Sequence, residues 1–140
     1  MILLDTNIIS EFMRPNPEPR VVSWLDRQPR SSVWTTSITI LEIQVGLQTL
    51  AHGKRREQMA QAFKLLLDRK LERRVAGFDN AAAEQTATLM ATRLAAGRPG
   101  ELRDSMIAGI ALAANANLAT RNVRHFGDLR VRLIDPWMDS

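Results

Sequence analysis

The chain has 140 residues, 45 % of them hydrophobic and 24 % charged, the balance of one ordinary globular domain able to bury a sizeable core. It contains no cysteine, which excludes a disulfide framework or thiolate metal site and suits a reducing cytoplasm, the expected location. Nineteen Lys and Arg against fifteen Asp and Glu leave a net charge of +4, a bias toward phosphate-rich or acidic partners that names none of them.

Met1 to Leu4 is too short for the apolar core of an export signal, and the run from Ile107 to Ala114 falls far short of about 20 apolar residues for a membrane span. Neither export nor a membrane partner is expected. Ile2 to Leu4 reads as a first buried strand, with Asp5 as N-cap of a helix through Thr6 to Ile9. After the Pro15, Pro17, Pro19 break, Val21, Val22 and Leu25 suit a second helix. Val33 to Thr35 reads as the next strand, followed by a helix with Ile38, Leu41 and Val45 on its apolar face, ending near Gly53.

Met59, Phe63 and Leu66 mark another helix, and Arg74 to Phe78 a third strand. Asp79 caps a helix whose predicted buried face is Ala83, Ala87, Met90 and Leu94, ending at Gly97. A last helix begins near Asp104, carries Ile107, Ile110, Ala111 and Ala114, and stops at Asn115-Ala-Asn117. Leu118 to Thr120 and Val131 to Ile134 complete a set of about five short strands with few alternating polar positions, as in parallel sheets buried on both faces. Strands alternating with helices predict an α/β layer fold, one domain over residues 1–140.

Most acidic residues, among them Glu57, Asp68, Glu72, Glu84 and Glu101, lie in polar or basic surroundings. Three differ. Asp5 follows the first strand, Glu42 stands between Leu41 and Ile43 in the early turns of a helix, and Asp104 opens the last helix. Open parallel sheets bind ligands beyond the carboxyl ends of their strands, where helices begin. Asp5 and Asp104 could each serve only as helix caps, but an apolar-flanked Glu42 is costly to desolvate alone. Clustered carboxylates repel unless a cation lies among them. No lysine falls within the three motifs, and Arg103 is expected to point away. Oxygen donors with no cysteine or nearby histidine select Mg²⁺ or Mn²⁺ over Zn²⁺, and such a site on a basic protein suits phosphodiester hydrolysis.

LLDTNIIS, SITILEIQVG, RDSMIAGIA and LATRN, in this order and continuing to Asp135-Pro136-Trp137, resemble the PIN-domain nucleases, in particular the VapC-type and FitB-like toxins of bacterial toxin–antitoxin modules. The resemblance implies a three-layer α/β/α fold around a parallel sheet, an Mg²⁺ or Mn²⁺ site and endoribonuclease activity on RNA. It also implies neutralisation by a VapB-type antitoxin with a DNA-binding domain, and a homodimer. Asp5, Glu42 and Asp104 match the acidic catalytic and metal-binding positions. The fourth position, usually Asp, falls on Asn122, which offers a carbonyl oxygen but no charge, so one ion is expected more than two. Thr6, Asn7 and Thr120 are expected to orient the carboxylates.

Arg121 and Arg124, beside Asn122, are the best-placed RNA contacts; Lys54-Arg55-Arg56 and Arg69 to Arg74 read rather as solvated faces. Trp34 is expected in the core, Trp24 in the core or a partner groove, and Phe12-Met13 in core packing. Three rival readings remain: a metal-independent nuclease using His52 and His125, a phosphatase-like aspartate at Asp5 (Asn7 standing where its second aspartate belongs), and a non-catalytic regulatory partner whose acidic pocket docks a basic residue of a DNA-binding antitoxin.

Overall fold

A computed structural model describes residues 1–138; the last two positions of the predicted 1–140 domain lie outside the described residues. The chain runs β1 (Ile2–Leu4), α1 (Thr6–Phe12), α2 (Pro19–Asp26), β2 (Val33–Thr36), α3 (Ser37–Thr49), α4 (Lys54–Leu65), β3 (Val75–Ala76), α5 (Asn80–Ala95), α6 (Leu102–Ala114), β4 (Asn117–Ala119) and β5 (Leu133–Ile134). A π-helical turn, Leu66–Lys70, extends α4, and a 3₁₀ turn, Val123–Phe126, lies between β4 and β5. The third and fifth strands are shorter than the predicted Arg74–Phe78 and Val131–Ile134.

All strand pairs are parallel, in the spatial order β3-β2-β1-β4-β5. Because side chains alternate along a strand, Ile2 and Leu4 enter one core while Leu3 enters the other. Ile8, Ile9, Val21, Trp24, Leu25 and Phe63 of α1, α2 and α4 cover the first face. Ala82, Leu89, Ile107 and Ile110 of α5 and α6 cover the second. This is the expected three-layer α/β/α fold.

Two helices turn differently from their predicted faces. In α3, Leu41 and Val45 are 50 % and 46 % exposed, while Ile38, Thr39, Ile43 and Leu47 are buried. The helix divides its apolar residues between the cores, Ile43 and Leu47 to one and Ile38 to the other. In α5 the buried stripe is Ala82, Thr86, Leu89 and Arg93, and Leu94 is 63 % exposed. That stripe lies one residue back from the predicted face, a rotation of about 100°.

The reason is a close approach of α5 to α6. A Cβ on Gly109 would fall 1.8 Å from the Thr86 hydroxyl and 2.8 Å from the Ala82 carbonyl, so the missing side chain leaves the space that Thr86 fills. Gly109→Ala is therefore expected to force the helices apart and cost about 1–3 kcal/mol in urea denaturation. The helix boundaries follow their local chemistry. Asp79 accepts from the Ala82 N–H at 2.9 Å and caps α5, and Asn115 closes α6 in the left-handed region, φ 51°.

Strand order turns around β1: the chain first adds β2 and β3 on one side, then β4 and β5 on the other. The crevice beyond the carboxyl ends of β1 and β4 is thus the topological switch point, where open α/β sheets bind ligands.

Candidate active site

Asp5 leaves β1 into this crevice and is 3 % exposed. It caps α1 as expected: its Oδ1 accepts from the Thr6 N–H at 2.8 Å. Its backbone N–H donates to the Ala119 carbonyl, tying it to β4. From the end of β4, the Thr120 hydroxyl donates to Asp5 Oδ2 at 2.7 Å, and the Asn7 amide reaches the same oxygen at 3.4 Å. Burial pushes the Asp5 carboxyl up to about 6; the Thr120 and Thr6 hydrogen bonds oppose this, and the charges of Asp104 and Glu42 add to it.

Glu42 comes from α3. Its Oε1 accepts from the Thr6 hydroxyl at 2.7 Å, and Thr6 also contacts Thr39, whose N–H is held by the α3 cap residue Thr36. Leu41 beside it is exposed, so only Ile43 supplies a buried apolar flank. Asp104 lies in the first turn of α6, but the cap position is Glu101, so capping is not its role. Asp104 Oδ2 lies 3.2 Å from His125 Nδ1, so the site does have a histidine beside it, contrary to expectation, because the turn after β4 folds back onto α6.

Asp5, Thr6, Asn7, Glu42, Asp104, Arg121, Asn122, His125 and Trp137 all line one cleft of ≈ 640 Å³. Thr120 is buried beneath it; its hydroxyl, besides bonding Asp5, accepts from the Asn122 N–H at 3.0 Å. The Arg121 N–H donates to Asn7 Oδ1 at 3.2 Å. Arg124 borders a neighbouring depression with Arg93 and Asp128, so only Arg121 of the expected pair faces the carboxylates. Among the described residues, no three carboxylate or imidazole groups are drawn close enough to hold one ion between them as they stand. Thr6 and Arg103 occupy Glu42, His125 occupies Asp104, and the carboxylates repel one another.

Other expectations need correction. Arg103 does not point away: its Nε lies 3.8 Å from Glu42 and 3.1 Å from Glu101, because the first turn of α6 faces the cleft. Glu101 is exposed and paired with Arg103, in the polar and basic surroundings expected, and it also lines the cleft. Glu11, unremarkable in the sequence, is a buried carboxylate that holds Arg14 and the Glu18 N–H. A buried Arg93 and Ser105 were likewise unsignalled: Arg93 bonds Ser105, the His125 carbonyl and Asp128, which its hydrogen bond holds below the usual carboxylate range. A residue read as helix surface carries no mark that distant groups will surround it.

The basic stretches are partly spent on structure. Lys70 pairs with Asp26, Arg73 with Asp68 at 2.6 Å, and Arg74 bonds the Val33 carbonyl. Trp24 is core and Trp34 half-buried. Phe12 borders a separate groove of ≈ 570 Å³ with Leu25, Leu65 and Leu66, which contains none of the three site carboxylates, while Met13 is buried. Among the described residues no helix is long and apolar enough to cross a membrane.

The fold agrees with the comparisons. A family model described as "PIN domain" matches residues 2–130. The plasmid stability protein StbB of Pseudomonas syringae pv. tomato is 36 % identical over 137 residues, covering 98 % of this chain and 99 % of that protein. The VapC ribonuclease Y4jK of Sinorhizobium fredii is 34 % identical, with 98 % of each chain covered. FitAB bound to an IR36 DNA fragment superposes with a TM-score of 0.88 at 31 % identity, covering 100 % of this chain and 98 % of that one. The chain belongs to the PIN-domain family, among the VapC-type toxins of toxin–antitoxin modules.

Proposed function

We propose that the chain is a metal-dependent endoribonuclease, the toxin of its module, hydrolysing RNA phosphodiester bonds in the cleft at the switch point. The observation that carries the reading is Asp5: a buried carboxylate with two further acids as its charge neighbours and, although Arg14 and Arg121 line its cleft, no ion-pair partner among the described residues. Arg103 approaches Glu42 but is half-exposed and does not cover Asp5. Buried charge of this kind demands a compensating cation, and a donor set made of oxygen fits Mg²⁺ or Mn²⁺. Asp5, Asp104 and Glu42 would hold the ion, with the Asn122 carbonyl as a weaker fourth donor; one ion is the better match to three negative charges. An ion held there supplies an activated water and charge neutralisation at the scissile phosphate.

The chain's own residues do the positioning. Thr6 and Thr120 fix Glu42 and Asp5 through hydroxyl donors. Asn7 links Asp5 to Thr120 and to the Arg121 backbone, so the two strand ends move as one piece. Arg14, Arg103 and Arg121 place positive charge at the cleft, where an RNA backbone would be drawn in. An antitoxin partner is supported by the complexes FitAB and DNA-bound VapBC from Salmonella typhimurium among the structural neighbours. Homodimerisation and a cytoplasmic location complete the proposal.

The test is cleavage of cellular RNA by the purified, antitoxin-free chain with Mn²⁺, with Mg²⁺ and with EDTA. Ion-dependent cleavage is expected, lost in Glu42→Gln and Asp104→Asn while their circular dichroism stays native. Asn122→Ala should fall by roughly tenfold, the cost of a supporting group rather than a charged ligand. Cleavage that persists in EDTA and disappears in His125→Ala would replace this reading with the metal-independent one.

A further inference from the structure

Resting on the nuclease reading, we infer that Arg121 and Trp137 form a stacking subsite for one unpaired nucleobase of the RNA beside the cut site. The Arg121 guanidinium stands over the Trp137 indole, 4.6 Å from the ring centre, and both side chains line the cleft that holds Asp5, Asp104 and Asn122. Arg121 is exposed, and Trp137 is half-buried with part of its ring packed on the core. With the indole beneath it, the exposed guanidinium offers a planar cationic surface that stacks on any base, and the indole holds that surface in place.

The pair is held from both sides. The Arg121 N–H is bound to Asn7 Oδ1, two residues from Asp5, and Arg121 directly follows Thr120, which bonds Asp5. The Trp137 carbonyl accepts from Arg20 Nη1 at 2.9 Å, and its N–H donates to Asp135 Oδ1 at 3.0 Å. A base stacked there would have its backbone delivered to the carboxylates at a fixed offset. Trp137 is the only Trp, Tyr or Phe side chain lining this cleft among the described residues, and the imidazole that also lines it, His125, is engaged by Asp104. A duplex, its bases already stacked and paired, could not use the subsite; the substrate is a single strand or a loop.

The experiment measures binding of a short single-stranded ribo-oligonucleotide in the Asp5→Asn background, which leaves it uncut, with single abasic sites scanned along it. At one position, removing the base should weaken binding roughly 5- to 150-fold, the range of one base–aromatic stack. Adding Arg121→Ala or Trp137→Leu should abolish that position's penalty, and Trp137→Phe should retain most of it. Arg121→Ala alters an exposed side chain and keeps the test alive if Trp137→Leu fails to fold. A penalty that persists in both variants, or no penalty at any position, overturns the subsite. Cleavage by the native chain without an abasic penalty sinks the subsite and leaves the nuclease reading; a penalty without Mn²⁺-dependent cleavage does the reverse.

Discussion

Asp5→Asn is expected to abolish Mn²⁺-dependent RNA cleavage, by at least about 10²–10³-fold, while making the ion-free protein more stable at neutral pH. The two effects have one cause. Burial lifts the native Asp5 carboxyl to about 6 from the ordinary 3.8, so between those values the native chain holds a proton that the unfolded chain has lost. Stability must then fall as pH rises through that window and stay reduced above it. The difference of about two pH units corresponds to about 3 kcal/mol.

The amide that Asp5→Asn introduces carries no such cost, though it satisfies Thr120 less well, so a gain of about 1–3 kcal/mol at pH 7.5 is expected in EDTA. The variant's stability should be nearly flat between pH 4 and 7. Mn²⁺ should raise the melting temperature of the native chain and leave that of Asp5→Asn unmoved, because ligand binding stabilises only a state that binds. Denaturation curves at several pH values, with and without Mn²⁺, check all of this. A native chain whose stability rises from pH 5 to 7 in EDTA would show that Asp5 is not the strained group.

The second large effect is expected at Asp128, far from the carboxylates in sequence logic. Arg93 is 6 % exposed and donates to both Asp128 oxygens at 2.9 Å, to Ser105 and to the His125 carbonyl. Asp128→Ala leaves that guanidinium buried without its counter-charge and should cost about 2–4 kcal/mol in urea denaturation. Arg93→Leu leaves Asp128 free to meet water, since that side chain is half-exposed. The double variant should therefore lose less than the two single losses summed, the signature of a coupled pair.

Asp128 adds the opposite pH sign to that of Asp5. Its native pKa is lowered by Arg93, so its contribution is present above the ordinary carboxylate range and disappears as pH falls through the lowered value. Acid unfolding is thus expected to begin below pH 4, after the relief of Asp5 is complete.

Residues near one another in the chain were legible from the sequence. Asp5 and Asp79 as caps, Asn115 as a stop, and the Phe63 and Leu66 face of α4 follow from local hydrogen bonding and period. The faces of α3 and α5 were not, because the division of Ile38 and Ile43 between two cores, and the room left by Gly109, depend on neighbours from other elements. Arg103 reads as surface until the first turn of α6 is placed against Glu42.

The sequence alone therefore determined the alternation of short apolar strands with helices, the three acids at strand ends and helix starts, and a membership carried by four ordered motifs. The tertiary structure decided what those acids share. Only the order β3-β2-β1-β4-β5 puts β4 beside β1, bringing Thr120 onto Asp5 across 115 residues of chain. Only the folded crevice lets His125 meet Asp104 and sets Arg121 over Trp137. Strand pairing and burial are properties of elements meeting at a distance, and no local pattern of residues encodes which distant groups will surround a charge.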